Sequence, residues 1–78
     1  MMYPLISVGD ICKVVAHESE CASIAAARVS NPDQIRWVPN GAHVLVVQTL
    51  SSRGALMWCN TMFDNDIVEI SSDILRPI

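Results

Sequence analysis

Positive charge is scarce in this sequence. Five lysines and arginines stand against eight aspartates and glutamates among 78 residues, for a net charge of −3, and no two basic residues adjoin. Binding to nucleic acid through counterion release needs several clustered cations, so that class is disfavoured. Long apolar runs are missing as well. The longest strongly apolar run, Val44-Leu45-Val46-Val47, is far short of the ~18 residues of a membrane-spanning helix. The first residues reach Asp10 before the first cation, Lys13, which is wrong for a secretory leader, and the cytoplasm is the expected address.

The constellations that carry chemistry are also lacking. Only three glycines are present, and they form no phosphate-cradling loop. No pair of carboxylates sits in distinct environments, no third group orients a Cys–His pair, and a chain this short encloses no drug-sized pocket. Catalysis is not expected. Cys12, Cys21 and Cys59 are an odd number, so a purely intramolecular disulfide framework would leave one thiol over, and reduced, mostly buried thiols are the better reading. Cys12, His17 and Cys21 carry zinc-type donors, but C-x4-H-x3-C is no recognised knuckle, and Cys12 within a β-branched segment reads as a small buried hydrophobe. Asp64, Asp66 and Glu69 lack the glycine and the ligand count of a calcium loop. Neither metal nor cofactor is expected.

What the chain has in excess is apolar side chain. Hydrophobic residues make up 51%, charged residues 17%, and the mean hydropathy is +0.35. A chain this size buries about 60% of the surface its unfolded form exposes, so part of that apolar set stays outside and marks a contact with another copy or another protein.

Along the chain, β-branched residues predict a first strand over Ile6–Val15, entered through a turn at Gly9-Asp10. Glu18 to Asn40 reads as a long, irregular excursion. Within it, Asn31-Pro32 turns either a hairpin between about Ala22–Val29 and Ile35–Val38 or a single helical turn capped by Asn31, and Pro39 favours the hairpin. His43–Leu50, Ala55–Met62 and Ile67–Ile70 predict a three-stranded meander, with turns at Ser51-Ser52-Arg53-Gly54 and Asp64-Asn65-Asp66; Ile67 and Glu69 face away from Val68 and Ile70. Ser71-Ser72-Asp73-Ile74 predicts one 3₁₀ turn capped by Ser71 or Ser72, and Leu75-Arg76-Pro77-Ile78 a short edge strand. Short strands in so small a chain enclose a core only by curling. The expectation is one mainly β domain over 1–78, a partly open barrel of five to six antiparallel strands.

Val8-Gly9-Asp10-Ile11-Cys12, Phe63-Asp64-Asn65 leading into Ile67-Val68-Glu69-Ile70, and the closing Leu75-Arg76-Pro77-Ile78 resemble the layout of SH3-like small barrels. Within that group the chain is most similar to the Tudor-type arrangement and to short barrel proteins of bacteriophages. The resemblance covers about the first ten residues of the fold and the last thirty, not Glu18 to Asn40. It implies a binding module. The Tudor type holds methylated cations in an aromatic cage; here only Phe63 stands at a cage position, its neighbour is Asn65, and four aromatics in the whole chain are few for a cage.

The residues left to carry function are those that anchor interfaces. Tryptophan and arginine dominate binding hot spots, which selects Arg36, Trp37 and Trp58, with Phe63 from the resemblance. Trp58, inside a predicted strand, also suits a core role, whereas Trp37 on the excursion is the better contact residue. The expected function is a non-catalytic protein-interaction or assembly module of phage type, its partner a second copy or another protein. The alternative is a small nucleic-acid-binding barrel that uses Arg28, Arg36 and Arg53 with the aromatics.

Overall fold

A computed structural model describes residues 6–50 and 57–78. Seven strands follow one another: β1 (Ile11–Val14), β2 (Ser23–Arg28), β3 (Asn31–Pro39), β4 (His43–Thr49), β5 (Trp58–Phe63), β6 (Asp66–Ser71) and β7 (Leu75–Pro77), with a 3₁₀ turn at Ser72–Ile74 between the last two. They form one sheet of order β3-β2-β6-β5-β4-β1-β7 in which every pairing is antiparallel. The mainly β class and the 3₁₀ turn agree with the sequence reading. The strand number does not: among the described residues there are seven rather than five to six, and the sheet they form is open, with β3 and β7 at its two edges.

Period-two alternation explains how the sheet encloses a core. Cys12 and Val14 of β1, Val44 and Val46 of β4, Cys59 of β5, Val68 and Ile70 of β6, Val38 of β3 and Leu75 of β7 are all buried on one side. β-branched side chains dominate because they pack well on a pleated surface. The predicted division of Ile67 and Glu69 from Val68 and Ile70 is observed: Val68 and Ile70 are buried, the other two half-exposed. Curling of the sheet is fixed where β3 turns into β4. Gly41 adopts a φ of +91°, its N–H donates to the Val14 carbonyl at 2.7 Å, the Val14 N–H donates to the Ala42 carbonyl at 2.8 Å, and the Ala16 N–H donates to Asn40 Oδ1 at 3.0 Å. The end of β3 is thereby tied to the end of β1, which lies five places away in the sheet.

Several sequence expectations are corrected. β1 is shorter than Ile6–Val15, because Ser7–Asp10 form a turn with Gly9 at φ +96° and the Asp10 N–H donating to the Ser7 carbonyl. Ser23–Pro39, read as part of an irregular excursion, is largely a regular hairpin, and it contains no helical turn. Its turn lies at Val29-Ser30 rather than at Asn31-Pro32: the register runs from Ser23↔Pro39 to Ala27↔Ile35 and then shifts to Arg28↔Asn31, so Pro32, Asp33 and Gln34 bulge out of β3. A bulge on an edge strand accepts a proline, which has no N–H to contribute. The turn predicted at Ser51-Ser52-Arg53-Gly54 and the start of the strand predicted from Ala55 lie outside the described residues.

Candidate interaction surface

Side chains opposite one another on adjacent strands share a face of the sheet. On the face turned away from the core, Ile11 opposes Leu45, Leu45 opposes Met62, and Met62 opposes Ile67. The row extends at both ends, since the Val29 N–H donates to the Ile67 carbonyl and the Ile78 N–H to the Ile11 carbonyl. Ile78, Ile11, Leu45, Met62, Ile67 and Val29 thus form one apolar row across the outer face. Five of them are exposed, from 38% for Leu45 to 74% for Ile78, and Ile67 is half-exposed.

β3 adds two further exposed groups to this face. Ile35 opposes Ala27 and Trp37 opposes Ala25, and methyl side chains on β2 give them little cover. Ile35 is 59% and Trp37 62% exposed. Beside the apolar row lies an open depression of about 690 Å³ lined by Val29, Val47, Gln48, Asn60, Asp66 and Ile67, among others. Asn60 Nδ2 donates to Gln48 Oε1 at 2.9 Å, whereas its Oδ1 is buried without a partner among the described residues.

The other side of β3 carries a charge network. Phe63-Asp64-Asn65-Asp66 makes a two-residue hairpin turn with Asp64 at φ 49° and Asn65 at φ 66°, a conformation that asparagine and aspartate tolerate better than other side chains do. The turn presents two carboxylates to the β2–β3 hairpin. Arg36 donates to Asp66 at 3.1 Å and to Asp64 at 2.7 Å, and Arg28 donates to Asp66 at 2.9 Å and to Gln34 at 2.9 Å. The Arg36 guanidinium also lies 5.4 Å from the centre of the Phe63 ring, within cation–π range. A third link joins the loop after β1 to the 3₁₀ turn: His17 Nε2 lies 2.7 Å from Asp73 Oδ2, while the Ser71 hydroxyl bonds the other Asp73 oxygen. Ser71 is the residue before the turn, as expected, but its hydroxyl serves this carboxylate instead of capping a backbone N–H. Burial would raise the Asp73 carboxyl, but the Ser71 and His17 hydrogen bonds outweigh it and hold Asp73 below its ordinary value.

The four residues singled out by sequence do not converge. Arg36 and Phe63 are brought together and occupied with each other, so one face of the ring is taken by the chain's own arginine. Trp37 stands on the opposite side of the sheet from them. Trp58 is half-buried on the outer face of β5, opposite Ser71, so it is not the core filler that its place in a strand suggested. Arg28 is held in the same network as Arg36, and Arg53 lies outside the described residues. Cys12 and Cys59 are buried and Cys21 half-buried; burial, then Asp10 and Cys59, pushes the Cys12 thiol up, and burial alone pushes up Cys59. Among the described residues no three His, Cys, Asp or Glu side chains group to hold a metal ion, and no helix is long and apolar enough to cross a membrane.

Sequence reasoning missed the apolar row, although a signal for it was present. Val44-Leu45-Val46-Val47 is apolar at successive positions, which places apolar groups on both faces of β4. Ile11-Cys12 and Met62-Phe63 do the same at their strands, and only the register shows that the surplus members line up. Compared with known proteins, the chain matches no family model, no curated protein and no solved structure.

Proposed function

We propose that the protein is a non-catalytic interaction module of the SH3-like small-barrel type, in keeping with the phage-type layout its sequence resembles, and that it binds a protein partner, first of all itself, through the outer face that carries Trp37. The observation that supports this reading most is the alignment of exposed apolar side chains: Trp37, Ile35 and the row from Ile78 to Val29 share one face. Exposed apolar side chains gathered on one face of a sheet in this way mark contact sites. Sedimentation of the purified protein over a dilution series tests it, with Trp37→Ala alongside. Self-association is expected, weakened by about 2 kcal/mol in Trp37→Ala, the range of a hot-spot tryptophan. A monomer at every concentration sinks the self-association reading.

Nucleic-acid binding is the second reading, and one observation favours it. Arg76 opposes Lys13 and Lys13 opposes His43 on the outer face, so three basic side chains stand in cross-strand register. Against it, Arg28 and Arg36 are engaged by Asp64 and Asp66. Two permanent cations release few counterions, for a log–log salt slope of only about −1.4 on a single strand. Titration with a single-stranded oligonucleotide at low salt separates the readings: measurable affinity that Lys13→Glu abolishes would favour nucleic acid.

A further inference from the structure

The main chain of β3 itself identifies a partner. In an antiparallel pair, opposed residues alternate between those that exchange hydrogen bonds and those whose N–H and C=O groups point away from the partner strand. The Asn40 N–H donates to the Ala22 carbonyl at 2.9 Å, so Asn40 is a bonded position. Pro39, opposite Ser23, has no N–H and falls at a non-bonded one. Continuing along β3, Val38 and Arg36 bond to β2, while Trp37 and Ile35 turn their main-chain N–H and C=O outward. Among the described residues β3 is the last strand of the sheet. The residues with the exposed apolar side chains are therefore also those with main-chain groups directed at the open edge.

From this geometry we infer that two copies of the chain join edge to edge through β3, antiparallel about a two-fold axis at Arg36, with Ile35 of each copy opposite Trp37 of the other. The inference rests on the interaction reading above and specifies its partner and geometry. Three features select this register. Centring on Arg36 pairs only outward-directed, non-proline residues, and each Ile35–Trp37 pair exchanges two main-chain bonds. Centring on Trp37 would set Ile35 against Pro39, which cannot donate. Centring on Ile35 would set Trp37 against Asp33, inside the bulge. The selected register also makes two aromatic–β-branched cross-strand pairs, a stabilising combination.

The neighbourhood suits a second copy. The two Arg36 side chains meet across the axis, but each is already neutralised by its own Asp64 and Asp66, so like-charge repulsion is small. Pro32 and Pro39 bracket the pairing segment and stop the added ladder from spreading, as prolines do at protected edges. The opposite edge offers no equivalent: β7 is three residues long and ends on Pro77.

Two measurements test the inference. In the first, Ile35→Pro removes an outward N–H and no bond to β2. Sedimentation should show at least tenfold weaker association with an unchanged circular dichroism spectrum. In the second, Ile35→Cys and Trp37→Cys chains, each in a Cys21→Ser background, are oxidised with diamide separately and mixed. Opposed residues of a bonded pair have Cα atoms about 5.5 Å apart, within disulfide reach, so the mixture should cross-link and the separate chains should not. Wild-type dimers unaffected by Ile35→Pro overturn the edge pairing and leave the interaction reading standing. Cross-linking within either separate chain overturns the register. A wild-type chain that stays monomeric overturns both. If Ile35→Pro fails to fold, the cysteine pairs decide alone.

Discussion

Arg36 and Trp37 are neighbours in the chain that β3 sends to opposite sides of the sheet. Arg36 turns inward to Asp64, Asp66 and the Phe63 ring, and Trp37 stands outward over Ala25. One strand therefore does two jobs. Its inner side fastens the β2–β3 hairpin onto the β5–β6 turn at the rim of the core, and its outer side presents the largest exposed side chain among the described residues. The two residue types most typical of interfaces sit side by side in the sequence, yet only one of them is free to meet a partner.

The fastening makes a stability prediction. Asp66 accepts from both Arg28 and Arg36, and its side chain is only 17% exposed. Removing it in Asp66→Ala leaves two half-buried guanidinium groups short of a partner, which costs about 2 kcal/mol. Asp64 makes one contact from a side chain that is 69% exposed, so Asp64→Asn, which removes the charge and keeps a residue that tolerates its positive φ, should cost less than about 1 kcal/mol. Urea unfolding midpoints at constant slope measure both. Equal losses would mean that the network does not act through Asp66.

Asp73 gives a pH dependence. Its carboxyl lies below the ordinary 3.8 in the folded chain, so the ionised form contributes stability that is present above that value and is lost as pH falls through the lower folded one. The stability difference between wild type and Asp73→Asn should shrink as pH falls below about 4. Ser71→Ala should move the Asp73 titration upward, as read from its carboxyl carbon by NMR. A difference that stays flat to the acid limit would remove Asp73 from the account.

How much of this was legible in the sequence depends on whether the signal is local. Period-two alternation, the Asp64-Asn65 turn, the 3₁₀ turn at Ser72–Ile74 and the terminal strand at Leu75 are local and were readable. The hairpin was also readable, but its turn was misplaced: Asn31-Pro32 is a stronger local turn signal than Val29-Ser30, and the outcome was decided by setting Ala26 and Val38 in the core with Pro32 in a bulge. The apolar outer row was not legible, because Ile11, Leu45, Met62 and Ile67 are far apart in the chain and only strand order aligns them. Arg36 was chosen for its residue type, and nothing near it in sequence announces carboxylates 28 and 30 positions later.

The thiols should differ in reactivity. Thiolate is the reactive form, and burial raises the thiol pKa. Cys12 and Cys59 are fully buried and pushed up, whereas Cys21 is half-buried, its thiol donating to the Ser23 carbonyl at 2.9 Å. Iodoacetamide followed by mass analysis should label Cys21 first in the folded protein, and Cys12 and Cys59 only after urea is added. Early labelling of Cys12 would mean that β1 opens readily between β4 and β7.

The turn at Asp64-Asn65 ties the local and distant parts of the fold together. Both residues hold positive φ, a region that glycine enters freely and β-branched residues enter only with strain. Asn65→Gly should leave stability within a few tenths of a kcal/mol, because a two-residue turn of this type accepts asparagine or glycine alike. Asn65→Val should cost about 1–2 kcal/mol from backbone strain. It should also shift Asp64 and Asp66 relative to Arg36, so combining it with Arg36→Ala should cost less than the two single losses together. Thermal unfolding of the four chains measures this. Strict additivity would show that the turn and the Arg36 contacts form independently, and the β2–β3 hairpin would then owe its attachment to Ala26 and Val38 in the core rather than to the charges at its rim.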